Sequence, residues 1–296
     1  GWDNSFPAAM PATNLTYNAQ WTASTNTAFT VEHYYQNAND DGYTLAETET
    51  KRGTTGATVN GADHKKTLAQ AIFERAESKT VNADGSTVIK VYYTRTTYTL
   101  TFTYGNMSGN SVQYKLRYGQ NISQNPSFTV QGYVFEAWDT AIPATMPANN
   151  VVINATWTAG AGVEYKVQHY VQNTNNDSYT LEKTENRTGV TGTLIDGADL
   201  ASLIRNGIVL KSADKNTISA DGSMVIAIYY DRVNYTVSYN YGSLSGTPVS
   251  VSVRYGAALP TAPVFTAIGY TFDGWDSELA TTMPASNLSY SAKWAP

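Results

Sequence analysis

The fold is decided by the stretch YTLTFTYGNMSG at residues 98–109, which returns as YTVSYNYGSLSG at residues 235–246. In the first copy, Tyr and large apolar residues occupy alternate positions, with Thr between them. This period of two predicts a β-strand with one face in a core and the other toward solvent. A Gly/Asn/Ser connection follows, and a second alternating run, VQYKLRY at 112–118, indicates a hairpin.

The similarity between the two copies continues to the end of the chain at a constant offset, 235 − 98 = 137. We name this repeat unit A, and its copies cover residues 97–159 and 234–296. Residues 1–22 match the last third of the same unit at an offset of 136, so that Trp2 aligns with Trp138 in the sequence. We expect the tryptophans of all three segments to lie in small aromatic cores.

A second repeat unit, B, covers residues 28–96 and 163–233. Its copies begin with VEHYYQNANDDGYTL at 31–45 and VQHYVQNTNNDSYTL at 167–181. Alternation again predicts strands. The stretches 62–75 and 198–211 are predicted to hold a helical turn or two, because apolar residues have helical spacing at Leu200, Leu203, Ile204 and Ile208.

The predicted layout is therefore partial A, B, A, B, A, a mainly β (α+β) tandem array. Unit B passes into unit A with almost no linker, whereas the A-to-B joints at 22–28 and 159–164 are longer. We expect each B–A pair to be stiff and the array to form an elongated rod. The chain is interpreted as a window from a longer array, which accounts for the absence of a signal or anchor segment.

The composition excludes several classes of function. The chain has no Cys and only three His, so thiol chemistry, disulfides and a His/Cys metal site are not expected. A net charge of −5 argues against a nucleic-acid partner, and no apolar run is long enough for membrane insertion. No nucleophile–base pair, phosphate loop or carboxylate pair recurs in both copies, so we expect no enzyme activity, catalytic residues or cofactor.

Unit A resembles the Listeria–Bacteroides repeat, also called the B-repeat of internalin-type surface proteins. The likeness is carried by GYTFDGW at 269–275 and SAKW at 291–294. The earlier copy departs from it with Glu136-Ala137 and with Ala155-Thr156-Trp157. The resemblance implies a β-grasp-like fold and a place in repetitive bacterial surface proteins.

Unit B resembles the mucin-binding-protein (MucBP-like) modules of Gram-positive surface proteins. The carriers are V-x-H-Y, the Gly-Thr-Thr-Gly at 53–56 and ADGSTVIKVYYTR at 83–95. This resemblance also implies a β-grasp-like module, together with adhesion to host glycans or proteins.

Two features of unit B are candidates for a catalytic or metal-binding site. His33 and His169 fall on the apolar strand face without an adjacent acid or base, which favours a core imidazole bonded to backbone or Tyr over a catalytic one. The Asn/Asp loops at 37–42 and 173–178 are similar to a calcium loop. They lack its glycine in the second copy and its bidentate Glu, so a polar turn is the better interpretation.

Tyrosines on the polar-leaning strand faces of unit B are the candidate ligand-binding residues: Tyr34, Tyr92, Tyr170 and Tyr229. Exposed rings could stack on sugars, whereas cross-strand packing of the rings is the structural alternative, and we favour the latter. The predicted function is a stalk or spacer of a bacterial adhesin-type protein. It is extracellular and anchored to the cell wall through other parts of the protein, and its partners are neighbouring repeats. Carbohydrate or mucin binding by the B tyrosines is the alternative.

Overall fold

A computed structural model describes all 296 residues and divides them into two compact units. Unit 1 contains residues 1–128 and 137–156, and unit 2 contains residues 129–136 and 157–296. The structure is mainly β, with several small sheets and two short 3₁₀ turns. Neither turn approaches the length and apolar character that a membrane-spanning helix needs.

In the first B segment, the strands are β1 (Thr27–Gln36), β2 (Tyr43–Gly53), β3 (Thr58–Asn60), β4 (Ala71–Ala76), β5 (Ser78–Thr80) and β6 (Val88–Arg95). Four of them form a sheet in the order β2-β1-β6-β4, and β3 pairs with β5 in a separate ribbon. The central strands β1 and β6 are parallel, and each pairs antiparallel with an edge strand. Because β1 and β6 are central, their alternate residues form the buried face of the sheet.

In the first A segment, the strands are β7 (Thr97–Thr103), β8 (Val112–Arg117), β9 (Tyr133–Trp138) and β10 (Val151–Ala159), in the sheet order β8-β7-β10-β9. The predicted hairpin of β7 and β8 is confirmed. Strand β10 lies parallel to β7, with Val151 opposite Leu100 and Ile153 opposite Phe102. Leu100, Phe102 and Ile153 are fully buried, as the period of two predicts.

Later strands repeat both patterns. The second B segment has β11 (Val163–Gln172), β12 (Tyr179–Gly189), β13 (Leu194–Asp196), β14 (Ile208–Ala213), β15 (Lys215–Thr217) and β16 (Val225–Arg232). Its sheet order is β12-β11-β16-β14. The second A segment has β17 (Asn234–Asn240), β18 (Val249–Arg254), β19 (Thr271–Trp275) and β20 (Leu288–Ala295), in the order β18-β17-β20-β19.

The predicted helical turns at 62–75 and 198–211 are confirmed only at the start of each stretch. Each stretch holds only a four-residue 3₁₀ turn, Gly61–His64 or Gly197–Leu200, and then becomes an edge strand. Edge strands β4 and β14 satisfy the outer backbone groups of β6 and β16, and a helix would leave those groups unpaired. The helical spacing of Ile208 is therefore coincidental, since this residue is buried as a strand residue.

The prediction of core tryptophans needs one correction. Trp138 and Trp275 are half-buried against aromatic neighbours, with ring centroids 4.9 Å from Phe102 and 5.0 Å from Tyr239, respectively. In residues 1–22, however, Trp2 is 54% exposed and Trp21 is 91% exposed. This segment forms a single isolated β-bridge, Trp2 to Ala19, and has no neighbouring strand to cover its rings.

Candidate functional site

The four candidate tyrosines lie in two stacked pairs on the outer face of the B sheets. Tyr34 on β1 stands opposite Tyr92 on β6, and their ring centroids are 5.3 Å apart with planes 24° from parallel. Tyr170 and Tyr229 repeat this arrangement at 5.1 Å and 18°. All four are half-buried. The structure thus brings together the residues of each pair, through cross-strand register rather than at a cleft.

A third tyrosine packs against each stacked pair, and the sequence analysis did not identify it. Tyr43 meets Tyr92 edge-on with centroids 5.2 Å apart, and Tyr179 meets Tyr229 in the same way at 5.3 Å. Their recurrence at an offset of 136 was the available signal. They face the stacked pair because each begins the edge strand beside it.

In the first B segment, basic side chains lie over the tyrosine ring faces, and a carboxylate accepts a hydrogen bond from one tyrosine hydroxyl. The Arg75 guanidinium carbon lies 4.1 Å from the Tyr92 ring centroid, and Lys90 Nζ lies 5.4 Å from that of Tyr34. The Tyr34 hydroxyl donates to Glu32 at 2.8 Å. This bond raises the pKa of Tyr34, because ionisation would place two negative charges side by side. In the second B segment, Ser212 and Ala227 take the positions of Arg75 and Lys90, so no cation covers Tyr170 or Tyr229, although the Tyr170 hydroxyl donates to Gln168 at 2.9 Å.

The two repeated histidines are buried completely, which agrees with the core interpretation. His33 Nδ1 lies 2.9 Å from the Tyr93 hydroxyl, and His169 Nδ1 lies 2.8 Å from the Tyr230 hydroxyl. The Tyr93 oxygen also accepts the Lys66 backbone N–H at 2.9 Å. The Tyr93 hydroxyl therefore bonds to both the His33 ring and the backbone of the segment after the 3₁₀ turn.

The expectation that no acid lies near the histidines is wrong, because the neighbouring strand brings a glutamate to face each Nε2, without a hydrogen bond to it. His33 Nε2 is 4.0 Å from Glu49 Oε1, and His169 Nε2 is 3.5 Å from Glu185 Oε1. Burial lowers the pKa of both histidines, because a charged imidazole would lose its hydration. Hydrogen bonds from Lys51 and Lys66 lower the pKa of Glu49 to about 2. The arrangement favours a neutral imidazole under an ionised carboxylate.

The Asn/Asp loops are polar turns, as predicted. Asp40 Oδ1 accepts from the Asn37 side-chain amide and from the Gly42 backbone N–H, both at 2.7 Å. Asn176 Oδ1 accepts from Ser178 N at 2.9 Å and from Asn173 Nδ2 at 3.2 Å in the second copy. The structure contains no group of three or more His, Asp or Glu residues that could hold a metal ion.

These loops lie at a junction between each B segment and the A segment that follows it in the same unit. In unit 1, Arg95 donates from Nε to the Gln36 carbonyl at 2.7 Å and from a terminal nitrogen to the Tyr118 carbonyl at 3.2 Å. In unit 2, Arg232 donates to Gln172 and Tyr255 in the same way, at 2.6 and 3.1 Å. One guanidinium thereby ties strand β1 or β11 to the loop after β8 or β18.

A second arginine reaches from each A segment to the Asn/Asp loop. Arg117 donates to the Asp40 carbonyl at 2.8 Å and pairs with the Asp41 carboxylate. Arg254 bonds to the Asn176 carbonyl at 2.6 Å and to the Asp177 carboxylate. We call these contacts the B–A junction, formed by Arg95, Gln36, Tyr118, Arg117 and Asp41, or by Arg232, Gln172, Tyr255, Arg254 and Asp177.

Sequence reasoning also missed the junction arginines. Their signal was recurrence at one offset, since 95 + 137 = 232 and 117 + 137 = 254. Their partners are largely backbone carbonyls, which every residue carries, so no sequence motif identifies them.

Comparison with known families bears on the A segments alone. No curated protein matches the sequence significantly. The family model of the Listeria-Bacteroides repeat domain matches residues 98–158 and 235–291, which confirms the resemblance of unit A, while the MucBP-like character of unit B stays a prediction. The chain therefore carries two segments that match the Listeria-Bacteroides repeat domain, a feature suggestive of a surface-protein repeat region.

Proposed function

We propose that this chain is a stalk or spacer segment of a bacterial adhesin-type protein at the cell surface, without enzyme activity. The proposal rests on the B–A junction, because the same guanidinium contacts recur at equivalent atoms in both units. The match of the A segments to a repeat domain supports a surface location. Cell-wall anchoring through other parts of the protein belongs to the same proposal.

The proposed modules are 28–96, 97–159, 163–233 and 234–296, each β-grasp-like, in an elongated array. The B-segment sheet order supports the β-grasp assignment, since two parallel central strands are flanked by antiparallel ones. Within each unit, the junction arginines resist bending of B against A. A charge-assisted hydrogen bond contributes roughly 1.5–3 kcal/mol, so the Arg95 pair alone exceeds thermal energy several-fold.

Paired substitutions at the junction test the spacer proposal. We expect Arg95→Ala with Arg232→Ala to broaden the distribution of B–A orientations, measured by residual dipolar couplings and small-angle scattering. Lys115→Ala with Lys166→Ala is the matched control, because both lysines are exposed and outside the junction. Unchanged couplings in the arginine variant, or a compact particle for the unaltered chain, would contradict the proposal.

Carbohydrate or mucin binding by the B tyrosines is a second candidate. It is favoured by the recurrence of the three-tyrosine cluster with the same ring geometry in both units. It is the weaker proposal, because the rings of each pair stack on one another and, in the first B segment, Arg75 and Lys90 lie over their faces. A glycan array with the unaltered chain and with Tyr34→Ala and Tyr170→Ala variants separates the candidates, and uniform silence would eliminate sugar binding.

A further inference from the structure

The chain contains two Asn-Gly pairs, Asn60-Gly61 and Asn206-Gly207, and the fold holds them in opposite ways. In such a pair the backbone nitrogen of the glycine can attack the asparagine side-chain amide, because glycine has no Cβ to obstruct the approach. The attack requires rotation of the peptide group between the two residues. The surroundings of each pair therefore decide whether it reacts.

The Asn60-Gly61 pair is fixed by its neighbours in the first B segment. The Gly61 N–H donates to the Glu77 carbonyl at 2.9 Å, and Gly61 is buried. Asn60 Oδ1 accepts from Ala62 N at 3.1 Å and from Ser78 Oγ at 3.3 Å. The nitrogen and the side-chain amide are both engaged, so neither can reorient until hydrogen bonds are broken.

The Asn206-Gly207 pair lies at the tip of a two-residue turn in unit 2. Arg205 and Ile208 close the turn with two backbone hydrogen bonds, at 3.2 and 2.9 Å. A φ of +82° at Gly207 gives the turn the type II pattern. Asn206 is exposed, and neither its side chain nor the peptide group between the pair makes a hydrogen bond. Rotation of this peptide group therefore breaks no hydrogen bond.

We propose that Asn206 is a site of spontaneous deamidation, which converts it to aspartate or isoaspartate. The Gly207 nitrogen gives its proton to hydroxide and attacks Asn206 Cγ. The bond from Cγ to the side-chain nitrogen breaks, and ammonia leaves with a proton from water. Water then opens the resulting succinimide. Cleavage between Cγ and the glycine nitrogen gives aspartate, whereas cleavage at the backbone carbonyl gives isoaspartate, whose main chain runs through Cβ and Cγ.

Isoaspartate at position 206 changes the B–A junction of unit 2. The Tyr255 ring packs so closely on Gly207 that a Cβ on this glycine would lie 2.4 Å from Tyr255 Cγ. The Gly207 carbonyl accepts the Val233 N–H, and the Val233 carbonyl accepts the Tyr255 N–H, both at 2.9 Å. Because isoaspartate adds one carbon to the main chain directly before Gly207, it displaces these contacts.

The first B segment has no equivalent of this site. The Thr96 N–H donates to the Gln70 carbonyl at 3.0 Å, as the Val233 N–H does to the Gly207 carbonyl. Ala69-Gln70 therefore takes the place of Asn206-Gly207, and alanine has no amide to lose. The modification acts on one of the two junctions, and its chemistry does not depend on the spacer role.

Incubation of the full chain at mildly alkaline pH tests the proposal. Endoproteinase Asp-N, which cleaves before aspartate but not before isoaspartate, releases the two pairs in the peptides 41–62 and 199–213. Mass spectrometry then detects replacement of the amide nitrogen by oxygen, and a new cleavage before residue 206 separates aspartate from isoaspartate. We expect Asn206 to convert on the order of tenfold faster than Asn60, because Asn60 must first break hydrogen bonds at both reacting groups.

The chain unfolded in urea is the matched control, and both pairs should convert there at similar rates, because each is an Asn followed by Gly. Equal rates in the folded chain, or an unmodified Asn206 over the period in which the unfolded chain reacts, would overturn the proposal. Hydrogen exchange at the Val233 and Tyr255 amides should become faster in the aged chain and stay unchanged in an Asn206→Gln variant aged alongside it. Unchanged exchange in the chain that carries isoaspartate would refute the effect on the junction.

Discussion

The Tyr93 hydroxyl lies 2.9 Å from His33 Nδ1, and both side chains are completely buried in the first B segment. Tyr230 and His169 repeat the relationship at 2.8 Å in the second. Each pair joins a central strand, β1 or β11, to its parallel neighbour, so it forms a polar contact inside an otherwise apolar core. Such a contact is sensitive to the loss of either partner, because the other is left buried and unsatisfied.

Removal of the tyrosine hydroxyl should destabilise the B segments. Tyr93→Phe leaves His33 Nδ1 and the Lys66 N–H without their partner, and we expect a loss of about 1–3 kcal/mol in the free energy of unfolding. Urea denaturation measures it. Tyr92→Phe is the matched control on the outer face of the same strand, where we expect a change below about 0.5 kcal/mol. Equal effects of the two substitutions would contradict the role of the buried pair.

Mild acid should destabilise the B segments through the same histidines. Their folded pKa values lie below the unfolded value of about 6.5, so the unfolded chain binds more protons as pH falls. Stability is thus complete above pH 6.5 and declines below it, by at most about 1.4 kcal/mol per pH unit for each histidine. Melting temperatures between pH 7 and pH 5 measure the decline.

Other titratable groups lie near each histidine, and the carboxylates among them affect stability at a lower pH than the histidines do. The groups near His33 are Glu47, Glu49, Lys51, Lys66 and Tyr93, and those near His169 are Glu185, Lys183, Arg187 and Tyr230. The pKa values of Glu49 and Glu185 are about 2, so their contribution is lost only below about pH 4.5. A decline confined to pH values below 4.5 would assign the effect to the carboxylates.

The two arginines of the B–A junction should differ in their energetic contributions. Asp41 is 91% exposed, so we expect Asp41→Asn to reduce the coupling between B and A by less than about 1 kcal/mol. Arg95 is half-buried on two carbonyls, and Arg95→Ala should reduce the coupling by about 1.5–3 kcal/mol. Urea denaturation of the full chain with each substitution measures the difference. A larger effect of Asp41→Asn would reverse this ranking.

A close backbone approach at the 3₁₀ turn should exclude any side chain. A Cβ on Gly61 would lie 2.5 Å from the Glu77 carbonyl and 2.7 Å from Ile89 Cγ2. We expect Gly61→Ala to destabilise the first B segment by about 1–3 kcal/mol, because the sheet must shift to accept the methyl group. Thr80→Ala, an exposed change on the same ribbon, serves as control in the same thermal melts.

The amino-acid sequence by itself determined the repeat plan, the strand faces and the core position of the histidines. A period of two records which side chains enter a core, and residues such as Val31, His33 and Phe102 obey it because local backbone geometry alternates their faces. Recurrence at a fixed offset added the order of the repeated segments. Both signals are local or internal to the sequence, so neither needs a folded structure.

Tertiary structure alone decided the B–A junction and where the helical turns end, after residues 64 and 200. Edge-strand pairing overrode the helical spacing around Ile208, because unpaired sheet backbone costs more free energy than a local preference supplies. Arg95 donates hydrogen bonds to backbone carbonyls, which no sequence motif specifies as partners. Trp2 has the sequence context of a core residue, but burial requires a neighbouring strand, and none lies beside it.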